Sequence, residues 1–315
     1  MVASRLCQRT LSAFKPSDRL WAPVSSKSAL NQVTKQLPFK SQVSLITQNL
    51  NALSSRPVAR AKLLLDGLLE ESKRPDIIFL QEVTSDVRNS ILGNPKVRKA
   101  FLVTDAEDQT SFEGVHFANM ALLSSMRFTE LQKGEEDGVE RGEKFMLGPV
   151  SRFKLPSKYG RCALSIDIIP PSTPSTTCRL INVHLDSLDT LPYRTEQVEI
   201  LANFLRQPGC GGGLIAGDFN AISPEDHALL DKNGLVDAWV ALHGKEGLDG
   251  ITWGVEVEQR DGREPKRLDE VAMLGVEAKD IEILRPSLIE VPKPGEDSKY
   301  IPCSDHYGLR LNFTV

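Results

Sequence analysis

Short apolar runs that stop abruptly at polar residues recur along this chain. Each reads as a buried strand that delivers polar side chains from its tip. Residues 44–48 lead to Asn49, and residues 76–80, bounded by Pro75, lead to Gln81-Glu82. Residues 180–184 end in His184. The glycine-rich run Gly211-Gly212-Gly213-Leu214-Ile215-Ala216 ends in Gly217-Asp218-Phe219-Asn220. Further strands are predicted over 115–123, 163–169, 281–284 and 307–313. Helical spacing of apolar residues marks 58–69, with Pro57 suited to a first turn, and also 193–206 and a short stretch over 224–231. Strand, helix and strand in alternation predict a layered α/β architecture. The charged, glycine-containing stretch 133–144 reads as a solvated loop or hairpin tip, and the Pro/Ser/Thr stretch 170–177 as a turn between strands.

With 315 residues and 40% apolar composition the chain can bury a sizeable core, and no linker divides it. No run approaches the roughly 18–20 continuous apolar residues of a membrane span, so a protein without membrane association is expected. Five scattered cysteines, Cys7, Cys162, Cys178, Cys210 and Cys303, contain no CxxC pair. That argues against a disulfide framework or zinc site and for an intracellular compartment. The net charge of −4 hides an asymmetry: residues 1–40 carry seven basic residues against the single acid Asp18. Residues 1–42 therefore read as a basic, partly disordered extension of a domain over 43–315. The basic start leaves a mitochondrial destination open beside nucleus or cytoplasm. The acidic body is a poor general nucleic-acid binder, because non-specific affinity comes mostly from neutralised phosphates. A phosphate-ester substrate would need a cation to offset the nearby carboxylates.

Candidate chemistry gathers at the strand tips. Asp218 and Asn220, two apart on an extended tip, point to one side. One can accept a proton or hold a water, and the other can donate to an oxyanion, although Asp and Asn also suit turns for local reasons. Glu82 is the natural ligand for a divalent cation, with Asn49 nearby. His184 and His306 stand at strand ends beside Asp or Ser, whereas His116, His227 and His243 read as surface or packing residues. Asp269, in Arg267-Leu268-Asp269-Glu270, is a candidate histidine partner or a salt-bridged surface residue. Trp253 is a candidate groove-lining residue, although tryptophans more often fill cores.

Taken together and in order, Asn49, Leu80-Gln81-Glu82, His184-Leu185-Asp186-Ser187, Gly217-Asp218-Phe219-Asn220, Arg267-Leu268-Asp269 and Ser304-Asp305-His306 resemble the motifs of the endonuclease/exonuclease/phosphatase superfamily. Within it, the residues 77–83, Val236-Asp237-Ala238-Trp239, Thr252-Trp253 and Ser304-Asp305-His306-Tyr307-Gly308-Leu309 look most like the type 2 tyrosyl-DNA phosphodiesterases. The resemblance implies a deoxyribonuclease I-like fold, a four-layer α/β sandwich of two mixed β-sheets packed face to face and flanked by helices. Three positions depart from the pattern. The family's Thr-Trp-Asn-x-Asp is Thr47-Gln48-Asn49-Leu50-Asn51 here, so Gln48 stands in place of the tryptophan and the amide of Asn51 where a carboxylate often stands near the metal, and Phe219 replaces a threonine.

The same resemblance implies one-step, metal-assisted phosphodiester hydrolysis. Asp218 would deprotonate the attacking water, and Asn220, His184 and His306 would meet charge developing on the phosphoryl oxygens. Glu82, with Asp305 and Asn49, would hold Mg²⁺ or Mn²⁺, and Asp269 or Asp305 would orient His306. Arg161, Ser187 and Trp253 would contact substrate. The expected substrate is a 5′-phosphotyrosyl DNA end presented as a single strand to a monomeric enzyme, hence a role in DNA repair. Another nuclease or phosphatase of the superfamily, or a non-catalytic binding relative, are the alternatives.

Overall fold

A computed structural model describes residues 6–24, 42–70, 74–129, 144–171, 173, 176–244, 250–257, 262–291 and 298–315. Strands and helices are labelled in chain order. One sheet runs, edge to edge, β1 (Cys7–Arg9), β9 (Phe145–Lys154), β10 (Cys162–Ile169), β11 (Thr177–His184), β12 (Cys210–Asp218), β14 (Asp269–Leu274) and β13 (Val236–Asp237), with β8 (Phe128–Thr129) also on β9. The other runs β15 (Glu277–Leu284), β18 (Gly308–Thr314), β4 (Gln42–Asn49), β5 (Ile77–Val83), β7 (Ala118–Ser124), β6 (Phe101–Thr104), β2 (Leu11–Lys15) and β3 (Leu20–Pro23). A small hairpin, β16 (Leu288–Val291) with β17 (Lys299–Pro302), stands apart. The helices are α1 (Pro57–Leu68), α2 (Ser85–Gly93), α3 (Pro95–Ala100), α4 (Leu191–Leu205), α5 (Pro224–Lys232) and α6 (Ala238–His243).

Alternation along the central strands explains the layering. Leu45, Phe79, Leu180 and Leu214 enter the core between the sheets, together with Ile166 and Val271. Their neighbours face the other way: Ile46, Ile78 and Leu80 pack against Leu64, Leu65 and Leu68 of α1. Ile181 and Ile215 pack against Val198, Leu201 and Leu205 of α4. Strands buried on both faces read as continuous apolar runs, which is why those segments stood out in the sequence. The result is the expected four-layer sandwich, helix, sheet, sheet, helix.

Two strand–helix–strand units bring the polar tips together. β4 and β5 pair in parallel across α1, and β11 and β12 pair in parallel across α4. Parallel pairing carries the C-terminal ends of each pair to one edge, and contacts of β11 and β12 with β5, and of β12 with β4, join both edges. The register then aligns specific residues: Asn49 opposite Gln81, and His184 opposite Asp218, which lies opposite Asp269. Gly217 makes the close pairing feasible. Its φ is +150°, and a Cβ there would lie 1.9 Å from the Val183 carbonyl oxygen.

Most predicted elements fall within a few residues of the observed ones. The stretch predicted as a loop over 133–144 lies, except for Lys144, outside the described residues. The largest correction concerns the N-terminus. Residues 7–23 are not a tail: β1 pairs with β9 in one sheet and β2 with β6 in the other, so the segment joins the edges of both. Leu11 and Val24 enter the core between the sheets, and the Trp21 indole donates to the Leu92 carbonyl at 3.3 Å. The strands are short and mostly exposed, β1 with no fully buried residue and β2 with only Leu11 and Ser12, so no apolar pattern announces them. Leu11 is only 3% exposed. Leu11→Ala should therefore cost roughly 2–5 kcal/mol in denaturant unfolding, the range for a buried leucine. A loss below about 0.5 kcal/mol, the range of a surface change, would remove the segment from the core.

Candidate active site

The strand tips open into a groove of about 1190 Å³. Asp218, 2% exposed, stands at its floor. Its Oδ2 accepts from Asn49 Nδ2 at 2.9 Å and lies 3.4 Å from His184 Nε2 and 3.8 Å from His306 Nε2. Its Oδ1 accepts from the Asn220 backbone N–H at 2.9 Å. Asn220 adopts φ +50°, which turns its amide inward to donate to the Leu185 carbonyl at 3.1 Å. Burial pushes the Asp218 carboxyl up to about 7, with Asp269 and Glu82 adding to the rise and His306 opposing it.

Glu82 reaches the same groove through a bulge. The β5–β7 register shifts between Leu80 and Val83, and Glu82 takes φ +55°. Its Oε2 accepts the Ala52 N–H at 2.7 Å, and its Oε1 accepts from Asn49 Nδ2 at 3.3 Å and lies 4.0 Å from His184 Nε2. One asparagine amide thus bridges Glu82 and Asp218, while Asn49 Oδ1 accepts the Asn51 N–H at 2.9 Å. At position 48, where the family pattern has tryptophan, Gln48 Nε2 donates to the carbonyls of Asn49 and His306 at 2.8 and 3.2 Å. It ties two active-site strands.

The two histidines are electrostatically different. His184 is buried and faces Arg161, whose Nη1 lies 3.3 Å from Nδ1. Burial first, then Arg161 and His306, hold it well below the usual imidazole value, so it is neutral near pH 7. For His306, burial opposes charge, but Asp269 and Asp218 outweigh it and raise it well above the usual value. Its Nδ1 meets Asp269 Oδ2 at 2.8 Å, and Asp269 in turn accepts no bond at its buried Oδ1. Of the two expected partners for His306, the structure therefore selects Asp269. Thr252 Oγ1 accepts the N–H groups of Leu268 and Asp269 at 3.1 and 3.0 Å, which fixes that strand start.

Asp305 lies elsewhere than expected. Its Oδ2 accepts from the Trp253 indole at 3.0 Å, and it is absent from the one described group of acidic and histidine residues with ligand atoms within 4.8 Å of one another, namely Asp218, Asp269 and His306. Glu82 is absent from that group too. At the start of the turn Asp305 and His306 do reach one groove, but they bind different partners there. The donors around the floor, Glu82, Asp218, Asn49 and the free Oδ1 of Asp269, are hard oxygens, and such a set fits Mg²⁺ or Mn²⁺. His306 contributes a positive charge beside them, so Glu82 with Asn49 offers the better position for a cation.

Arg161 and Ser187 come together as expected, with Nη2 donating to Oγ at 3.4 Å. The backbone that carries Arg161 is held by Asp186, which accepts from Ser157 Oγ and from the Lys158 N–H at 2.7 Å. Sequence reasoning missed Phe117, which stacks on His184 at 5.6 Å with Arg161 5.4 Å over its ring. It also missed Asn182 and Gln81, a buried polar floor in which Gln81 Nε2 donates to Thr47 Oγ1 and Asn182 Oδ1 at 3.0 and 2.8 Å. Gln81 and Asn182 were visible in the strand ends Leu80-Gln81-Glu82 and Asn182-Val183-His184, without a role assigned to either; Phe117 lies beside an apolar run and carries no local signal. The other histidines behave as packing or surface groups: His227 meets Glu270 at 2.5 Å, His243 stacks on Trp239 at 4.3 Å, and His116 is exposed at the groove mouth.

The model of the endonuclease/exonuclease/phosphatase family matches residues 46–306, most of the chain, and the chain belongs to that family. Among solved structures the chain is similar to zebrafish (D. rerio) TDP2 in complex with a single-strand DNA product, with TM-score 0.61 and 18% identity over 88% of this chain and 100% of that one. It is also similar to the human nocturnin catalytic domain with a bound sulfate anion (0.55 and 17%, over 87% and 94%). A mannosyl-6-phosphatase from Bacteroides thetaiotaomicron gives 0.57 and 14%, over 87% and 100%. At these identities the likeness is one of fold. A search of curated proteins by sequence finds no match.

The pairing of His306 with Asp269 makes a pH-dependent prediction. A histidine raised above its unfolded value stabilises the fold below about pH 6.5, and that stability is lost as pH rises through the folded value. Asp269→Asn removes the largest favourable charge, so His306 should titrate at lower pH by NMR and the stability should lose its dependence on that window. An unchanged His306 titration would show that Asp269 does not hold the charge.

Proposed function

We propose that the chain is a divalent-metal-dependent phosphodiesterase acting on 5′-phosphotyrosyl DNA ends, and hence a DNA-end repair enzyme of nucleus or cytoplasm. The observation that carries the hydrolytic reading is Asp218. It is a carboxylate buried between a neutral and a charged histidine, pushed to about 7, where a base can both accept and surrender a proton near neutrality.

Glu82 and Asn49 would hold the cation, which when bound supplies Lewis-acid polarisation of the phosphoryl oxygen and neutralises the carboxylates around it. Asp218 takes a proton from the attacking water. The Asn220 backbone N–H fixes the Asp218 carboxylate, and its side-chain amide stands at the floor, held on the Leu185 carbonyl. His306, kept cationic by Asp269, offers Nε2 to an oxygen on which negative charge grows, and neutral His184 offers a second donor. Arg161 brings a permanent charge beside Ser187, although burial draws its affinity for the proton down. The water oxygen bonds to phosphorus, the ester P–O bond breaks, and the leaving oxygen takes up a proton.

Substrate choice rests on the resemblance to the tyrosyl-DNA phosphodiesterases and on the form of the groove. Trp253 lines it, half-buried, with its ring fixed by Asp305. An aromatic platform can hold an unstacked base at about 1–3 kcal/mol without a broad basic surface. A monomer would suffice, because every residue invoked comes from one chain.

A chelator should abolish turnover, and Mg²⁺ or Mn²⁺ restore it. Glu82→Gln should be partly rescued by more metal, whereas Asp218→Asn should lower kcat by roughly 10² or more regardless of metal. Full activity in excess chelator would sink the metal assignment, and near wild-type kcat in Asp218→Asn the base assignment. Substrate class is read from purified protein on a 5′-tyrosyl oligonucleotide beside a plain 5′-phosphate and an abasic duplex. Release of tyrosine should be fastest, and Trp253→Ala should raise KM more than it lowers kcat. Faster nicking of the abasic duplex would replace this substrate by another within the same family.

A further inference from the structure

Large apolar side chains left in water mark something when they gather at one place. Four of them ring the mouth of this groove: Leu53, Val115, Leu188 and Tyr159 are 83%, 48%, 47% and 40% exposed, and all line it. They come from four separate loops, so no single amphipathic element explains their grouping.

Each loop is tied to the site or to the frame beneath it. The loop bearing Leu53 is anchored by the Ala52 N–H on Glu82 Oε2 at 2.7 Å. Val115 precedes the Phe117 that stacks on His184. The Tyr159 ring lies 5.8 Å from the Arg161 guanidinium. Leu188 is the most telling. Its φ is +62°, a left-handed conformation unusual for a residue with a branched side chain. Buried Arg194 holds it there: Nη1 donates to the carbonyls of Asp186 and Leu188, each at 2.8 Å, while the same guanidinium pairs with Asp226 at 2.7 Å. A strained backbone held by a buried ion pair presents a leucine to solvent beside Ser187.

We infer that these four residues form a preorganised apolar collar that grips the hydrophobic body of the group esterified to the phosphate, an aromatic or branched aliphatic moiety larger than the reacting ester itself. The inference rests on the phosphoester hydrolysis proposed above and assigns the residues that meet its leaving group. The polar floor binds the phosphate, while the collar, a few residues away along each loop, meets what departs. Because the loops are already fixed, contact costs little ordering.

A series of single-stranded oligonucleotides bearing a 5′-phosphate esterified to phenol, 4-methylphenol or 4-tert-butylphenol varies apolar area at nearly constant leaving-group acidity. A fully buried methylene is worth about fourfold, so kcat/KM should rise about fivefold or more from 4-methyl to 4-tert-butyl at a partly open rim. Leu53→Ser/Leu188→Ser should flatten that rise with no change in melting temperature. Calorimetric binding of the same esters to Asp218→Asn protein reads the collar without turnover. Kd falling with size supports the collar, and Kd insensitive to size overturns it whether or not hydrolysis occurs. Size-dependent binding with no turnover by wild-type enzyme would overturn the proposed reaction and leave the collar standing. Equal kcat/KM across the series in wild type would overturn the collar and leave the reaction.

Discussion

Charge buried at the seam of two apolar sheets must be compensated within a few ångströms, and the cluster around Asp218 is where this chain meets that constraint. An uncompensated buried charge costs several kcal/mol, and breaking a buried pair costs roughly 3–5 kcal/mol. Here the compensation is shared. Asn49 joins Glu82 to Asp218, Asp269 holds His306 charged, and burial together with Arg161 holds His184 neutral. Each of these groups lies at a strand tip, where its charged end meets the groove while its backbone stays in the sheet. The same charges that make the cluster costly to bury make it reactive.

The geometry is enforced from beneath and from the sides. Beneath, Asn182 donates to the carbonyls of Leu80 and Met120 at 3.2 and 2.9 Å, and its Oδ1 receives Gln81. This buried polar bridge joins the two sheets under the site. From the side, Arg152, almost wholly buried, pairs with Asp105 at 3.0 Å and donates to the Asn119 carbonyl at 2.8 Å. The loops at the rim hang from the same frame through Asp186 and Arg194. Few of the site's parts can move alone.

Proteins of this fold include a DNA-bound TDP2 and a sugar phosphatase, so the frame by itself leaves the substrate open. What varies without disturbing the frame is the wall above the floor. In this chain that wall combines Trp253, fixed by Asp305, with exposed leucines on fastened loops. Replacing a family tryptophan by Gln48 changes a joint of the frame instead. Its amide clasps the backbone of β4 to that of His306 by hydrogen bonds.

From sequence alone, the layered architecture and most of the site were legible, because both depend on local order. Strands buried on both faces write themselves as unbroken apolar runs, and the residues at their tips come directly after, as Asp218 does after Leu214-Ile215-Ala216-Gly217. Short strands at a sheet's margin write nothing so clear. Cys7–Arg9 buries none of its residues fully and Leu11–Lys15 only Leu11 and Ser12, and both read as a tail until their partners β9 and β6 are known. Pairings across the sandwich were equally hidden. Whether Asp269 or Asp305 meets His306 depends on where Trp253 and Thr252 lie, and the three segments come together only when the sheets close. The sequence determined which side chains stand at the tips. Only the tertiary structure decided which of them touch, because contact and burial arise from segments far apart in the chain.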